Sequence, residues 1–186
     1  MRIRKIHLTL FIALLAMCTA AAGTTLARMS VAQMTHAAKN IVRARCLANY
    51  TARDAGEIWT FTTFEVEENW KGAPHDKQIA VRLLGGTVGG LTSSVSGVPR
   101  FAEGEEAVLF LEPTTRGDFS IVSWMQGTFR VRRDGASGRE SVTQDTAGFS
   151  TFDPSTRRFE SSGIHGISLI ALRASVAAAL NSGEKQ

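Results

Sequence analysis

The chain has 186 residues, with 21 Lys and Arg against 17 Asp and Glu and a formal net charge of +4. That length suits one domain with a sizeable core. Three basic residues, Arg2, Arg4 and Lys5, sit in an N-terminal stretch without acidic residues, and their removal leaves 18 basic against 17 acidic. So balanced a remainder excludes the dense phosphate neutralisation that nucleic-acid binding relies on.

Residues 1–27 read as a secretory signal peptide. A basic start leads into the apolar run Ile6 to Ala16, and small residues follow from Thr19 to Ala27. The run is shorter than the roughly 20 residues that span a bilayer, so no transmembrane segment is expected in the mature chain. Cleavage is placed after Ala22 or after Ala27, each preceded by small residues at the recognition positions. Leu15-Ala16-Met17-Cys18 is an alternative lipidation motif with Cys18 as the anchor, against which stands Met17 where a small residue is usual. Loss of Cys18 with the signal leaves Cys46 without a disulfide partner.

The first strand runs from Lys39 to Tyr50. Alternation places Val42, Ala44, Cys46, Ala48 and Tyr50 on one face and Ile41, Arg43, Arg45, Leu47 and Asn49 on the other. Cys46 thus lies on the apolar face, as a structural thiol. Glu57 to Trp70 is the longest strand signal. Ile58, Thr60, Thr62, Phe64 and Val66 share one face, and Trp59 and Phe61 the other. Lys71-Gly72-Ala73-Pro74 supplies turn chemistry, and Gln78 to Leu84 forms a third strand.

Residues 85–104 contain six glycines and read as a long loop. Glu106 to Leu111 is a continuous apolar run, consistent with a strand buried on both faces and stopped by Pro113. Phe119 to Trp124 and Gly127 to Arg133 complete the strong strands, with a shorter one at Glu140 to Thr143 in a Gly/Ser-rich stretch. Ser168 caps a helix through Leu180, with Leu169, Leu172, Val176 and Leu180 along one stripe. Six or seven strands with one late helix predict a mainly β domain over 28–186, a small barrel or sandwich closed by helix 168–180.

Little in this pattern points to catalysis. The histidines His36, His75 and His165 are isolated from other ligand types, so no metal or cofactor is expected. Gly85-Gly86-Thr87-Val88-Gly89-Gly90 lacks the Gly-Lys-Ser/Thr ending of a phosphate loop. No Gly-x-Ser-x-Gly elbow occurs; Ser161, Ser162, His165 and Asp153 are near one another in sequence only. Two surface features remain as partner-binding candidates. Arg130 and Arg132 share one face of the last strong strand, and Trp59 and Phe61 form an aromatic pair, open to a partner or covered by the helix.

The stretches THAAKNIVRARC (35–46) and WTFTTFEVEENWKG (59–72) resemble the opening of netrin-like domains, the superfamily of tissue inhibitors of metalloproteinases. Gly97-Val98-Pro99-Arg100-Phe101-Ala102-Glu103-Gly104-Glu105, followed by Ala107 to Leu111, resembles a segment of small exported bacterial proteins of unknown role. The resemblance covers Thr35 to Val131 and implies an OB-like five-stranded barrel with a long inserted loop. Inhibitor function does not carry across, because no cysteine stands at either mature N-terminus and the disulfides are missing. The resulting expectation is an exported, non-catalytic barrel module that binds another envelope or secreted protein, a protease by analogy only. The alternatives are an envelope lipoprotein with a structural role and a secreted hydrolase built on Glu103, Glu105, His165 and the glycine loop.

Overall fold

The computed structural model describes residues 26–183, apart from 74–76, 147 and 162. Residues 1–25, which hold Cys18 and all but the last two residues of the expected signal peptide, lie outside the described residues. Among those described, no helix is long and apolar enough to cross a membrane.

The chain enters through a short helix, α1 (Val31–Ala37), which the apolar pattern did not announce. Its origin is local chemistry. Ser30 and Gln33 form a reciprocal capping box, with Gln33 N–H donating to Ser30 Oγ at 3.2 Å and Ser30 N–H to Gln33 Oε1 at 2.8 Å. At the other end Lys71 Nζ donates to the carbonyls of Thr35 and Ala38, each at 2.5 Å. Burial, together with the nearby positive charge of Lys39, lowers the pKa of this ammonium.

Strands β1 (Asn40–Asp54) and β2 (Glu57–Lys71) form a long hairpin around Ala55 and Gly56, both with positive φ. β1 therefore continues past the expected end at Tyr50. β3 (Gln78–Leu84) pairs antiparallel with β2. The glycine-rich stretch holds a small hairpin, β4 (Gly86–Val88) and β5 (Leu91–Ser93), turning on Gly89-Gly90 at φ of 57° and 78°. Thr51 Oγ1 and Thr60 Oγ1 fasten this segment by donating to the carbonyls of Thr87 and Gly85.

β6 (Glu106–Pro113) organises the rest. One edge pairs with β1, from Asn40↔Leu111 to Arg45↔Glu106. The opposite edge is divided. Leu111–Pro113 pairs with β7 (Phe119–Ile121), and Ala107–Leu109 with β8 (Thr128–Arg133). A single parallel pair, Val81↔Phe119, joins β3 to β7. The ring β1-β2-β3-β7-β6 thereby closes into a five-stranded, OB-like barrel. β8 leads outward to β9 (Glu140–Gln144) and β12 (Ile167–Ser168), while β10 (Thr151–Asp153) and β11 (Arg158–Glu160) form a separate hairpin. The strand expected over Phe119 to Trp124 ends early, because Ser123 and Trp124 turn the chain at φ of 51° and 49°.

Two cores lie on opposite faces of β1 and β6. Inside the ring are Val42, Ala44, Cys46, Phe64, Val81, Leu109 and Leu111, with Phe101 edge-on to Phe64. Outside it, Ile41, Val108, Phe110 and Phe129 meet Met34 of α1 and Leu172 and Val176 of helix α2 (Leu169–Gly183). The central strands are thus buried on both sides, which the uninterrupted apolar run of β6 requires. α2 starts where Ser168 Oγ accepts the Ala171 N–H at 3.1 Å. It packs with α1 over this second core, and does not close the barrel as expected.

An ionic cluster pins the two halves together. Arg43, with its side chain only 10% exposed, meets Glu67 and Glu68 of β2 at 3.2 Å each, Glu106 of β6 at 2.8 Å and Glu140 of β9 at 2.7 Å. Arg45, Arg133 and Arg173 hold the same carboxylates from outside. Burial opposes the charge on Arg43, but hydrogen bonds and attraction from Glu140 and Glu106 outweigh it and raise its pKa. Burial likewise pushes Glu106 up, yet Arg43 and Arg45 bring it below the ordinary glutamate value. Glu140 is lowered by hydrogen bonds from Arg43 and Arg133.

Candidate functional site

A β-bulge creates the most distinctive surface. Between Cys46 and Ala48 the β1–β2 register slips by one residue, so Cys46↔Phe64 is followed by Ala48↔Thr63 and Tyr50↔Phe61. Cys46 stays inside the barrel, 1% exposed, while Tyr50 emerges on the outer wall at 61% exposure. Strict alternation placed both on one face. The slip also turns Asn49 toward the core rim, where Nδ2 donates to the Phe101 carbonyl at 2.9 Å and Oδ1 accepts from Thr62 Oγ1 at 2.6 Å. Burial raises the Cys46 pKa, against a weak hydrogen bond from Asn49.

On the outer wall Tyr50 stacks on Phe61, ring centroids 4.9 Å apart and planes 12° from parallel. Trp59 lies two residues along β2 on the same face. Both Phe61 and Trp59 are half-buried, and α2 is not what covers them. Their cover is Arg82 of β3, whose guanidinium carbon stands 4.2 Å above the Trp59 ring and 5.4 Å from that of Phe61. Arg82 is itself fixed, donating to Asp54 Oδ2 at 2.6 Å and lying 3.6 Å from Asp118. Arg116 bonds the same Asp54 carboxylate. Hydrogen bonds from Arg82 and Arg116 hold the Asp54 carboxyl below its ordinary range. Ala48 and Ala80 border the cluster as exposed small residues.

Arg130 and Arg132 occupy β8, which pairs with β6 and β9 and not with β2. Arg130 bonds Glu105 at 2.6 Å, Asp145 at 2.8 Å and the Arg100 carbonyl at 2.6 Å, and lies 4.6 Å over the Phe101 ring. Its guanidinium is engaged within the fold; Arg132 is exposed. Glu105 also accepts the Ala102 N–H, at 2.8 Å. Asp153 accepts from the backbone and hydroxyl of Ser155 within its own turn, and Ser161 and His165 are exposed. Among the described residues, no three His, Cys, Asp or Glu side chains converge as metal ligands.

The sequence singles out Trp59 and Phe61 but does not announce that Tyr50 and Arg82 pack beside them. The bulge carries no glycine or proline to signal it. Arg82 had a faint signal, being the one charge in the apolar segment Ile79 to Leu84. No protein-family model matches this chain, and no curated protein matches it.

Proposed function

We propose that this protein is an exported, non-catalytic barrel module that binds another envelope or secreted protein through the outer wall of β1, β2 and β3. The observation that carries this reading is the exposed Tyr50 stacked on half-buried Phe61, with Trp59 beside it beneath the buried Arg82. Tyrosine, tryptophan and arginine are the residues that most often dominate binding energy at protein interfaces. Here Asp54 and Asp118 hold the arginine and Phe61 supports the tyrosine, so little side-chain freedom remains to be lost on association. The netrin-like resemblance adds support, and a protease partner follows from it by analogy.

The test is capture of the tagged mature protein from its native envelope fraction after mild cross-linking, followed by direct binding with the purified partner. Tyr50→Ala removes an exposed ring without touching either core. Loss of a hot-spot residue of about 2 kcal/mol weakens binding roughly 30-fold. A partner held with equal affinity by wild type, Tyr50→Ala and Trp59→Ala refutes the assignment of this face.

A further inference from the structure

The first described residues are built into the domain rather than draped over it. Ala27 forms a parallel bridge with Phe152 of β10, framed by Phe152 N–H to the Leu26 carbonyl at 2.9 Å and Arg28 N–H to the Phe152 carbonyl at 2.8 Å. On the other side stands the Gln126 amide, 2% exposed. Its Nε2 donates to the Ala27 carbonyl at 2.8 Å, and its Oε1 accepts the Met29 N–H at 2.8 Å. The Arg28 guanidinium lies 3.3 Å from Glu160 and 3.5 Å from Asp153, tying the segment to both strands of the β10–β11 hairpin. Met29 then packs against the outer core. Backbone groups of four successive residues are thus committed to a slot between Gln126 and β10.

This slot discriminates between the two cleavage positions. A cut at Ala27–Arg28 would discard the carbonyls of Leu26 and Ala27, leaving the Phe152 N–H and one proton of a buried amide without their acceptors. A cut after Ala22 leaves the whole segment in place, with Gly23, Thr24 and Thr25 ahead of it. We infer that the leader is removed after Ala22 and that Leu26 and Ala27 stay in the mature chain as part of the folded domain. This rests on the reading of residues 1–27 as a signal peptide.

Two measurements test it. The full-length chain is expressed in an exporting cell, and the recovered protein is analysed by N-terminal sequencing and intact mass. A start at Gly23 is expected. A start at Arg28 overturns the inference while leaving export intact, a lipidated start at Cys18 overturns both cut positions, and retention of Met1 overturns the signal-peptide reading itself. Leaderless chains starting at Gly23 and at Arg28 are then compared by thermal unfolding. The shorter chain should melt lower by roughly 4–8 °C. Equal melting temperatures show that the slot does not need Leu26 and Ala27, and overturn the argument.

Discussion

Replacing Arg43 with methionine should be among the most damaging single changes outside the apolar cores. The side chain is 10% exposed and sits among four carboxylates, at 3.2 Å from Glu67 and Glu68, 2.8 Å from Glu106 and 2.7 Å from Glu140. Removing one member of a buried ion pair costs about 3–5 kcal/mol, most of it from the charge left behind. Two features place this case at the lower end. The carboxylates are 16–31% exposed, and Arg45, Arg133 and Arg173 remain on their outer side. A loss of about 3 kcal/mol corresponds to roughly 6–12 °C in Tm for a domain of this size. Urea unfolding followed by fluorescence of Trp59, Trp70 and Trp124 gives the free energy directly. The decisive control adds Glu106→Gln and Glu140→Gln, which removes the stranded charges and should restore at least half of the loss. A penalty below about 1 kcal/mol for Arg43→Met, or no recovery in the triple variant, would show that water and not Arg43 satisfies these carboxylates.

Acid should act through the same cluster. Glu106 and Glu140 titrate below the ordinary value of 4.5, so their contribution is complete above it and is lost as pH falls through their lower folded values. Stability measured from pH 7 to pH 3 should therefore hold level and then fall below about pH 4.5, and less steeply in Arg43→Met. Gly72→Ala should destabilise by more than about 1 kcal/mol in the same urea assay. Its φ is +93°, and an added Cβ would stand 2.1 Å from Asn40 Nδ2 and 2.8 Å from the Lys39 carbonyl. Cys46, 1% exposed and with a raised pKa, should react with a thiol reagent only at the rate of global unfolding; rapid labelling of the native protein would contradict its position inside the barrel.

The parts of the fold legible in the sequence are those with a regular period. β2 alternates cleanly from Ile58 to Phe64, β6 is apolar on both faces, and α2 repeats Leu169, Leu172 and Val176 at helical spacing. What escaped depends on interruptions or on distant partners. The slip after Cys46 has no local residue signature, so Tyr50 was placed inside when it lies outside. α1 is missing from the expected elements: it rests on the capping box of Ser30 and Gln33, and its C-terminal carbonyls are satisfied by Lys71, more than thirty residues away. Arg82 became a partner of Trp59 and Phe61 only once β3 paired with β2. Lys71-Gly72 looked like turn chemistry alone, whereas the lysine closes a helix and the glycine makes room for Asn40.

The barrel's closure is uneven, and this bears on its breathing. Thirteen residue pairs bind β1 to β2 and six bind β1 to β6, but one parallel pair joins β3 to β7. Opening should begin at that seam, with amides of β7 exchanging hydrogen sooner than those of β1 and β6. Arg82 and Asp118 face each other across it, and Arg82 is also part of the aromatic wall. A protein seated on Tyr50 and Trp59 would press Arg82 into place and close the seam from outside. Association would then be felt as slower exchange along β7, a strand the partner need never touch.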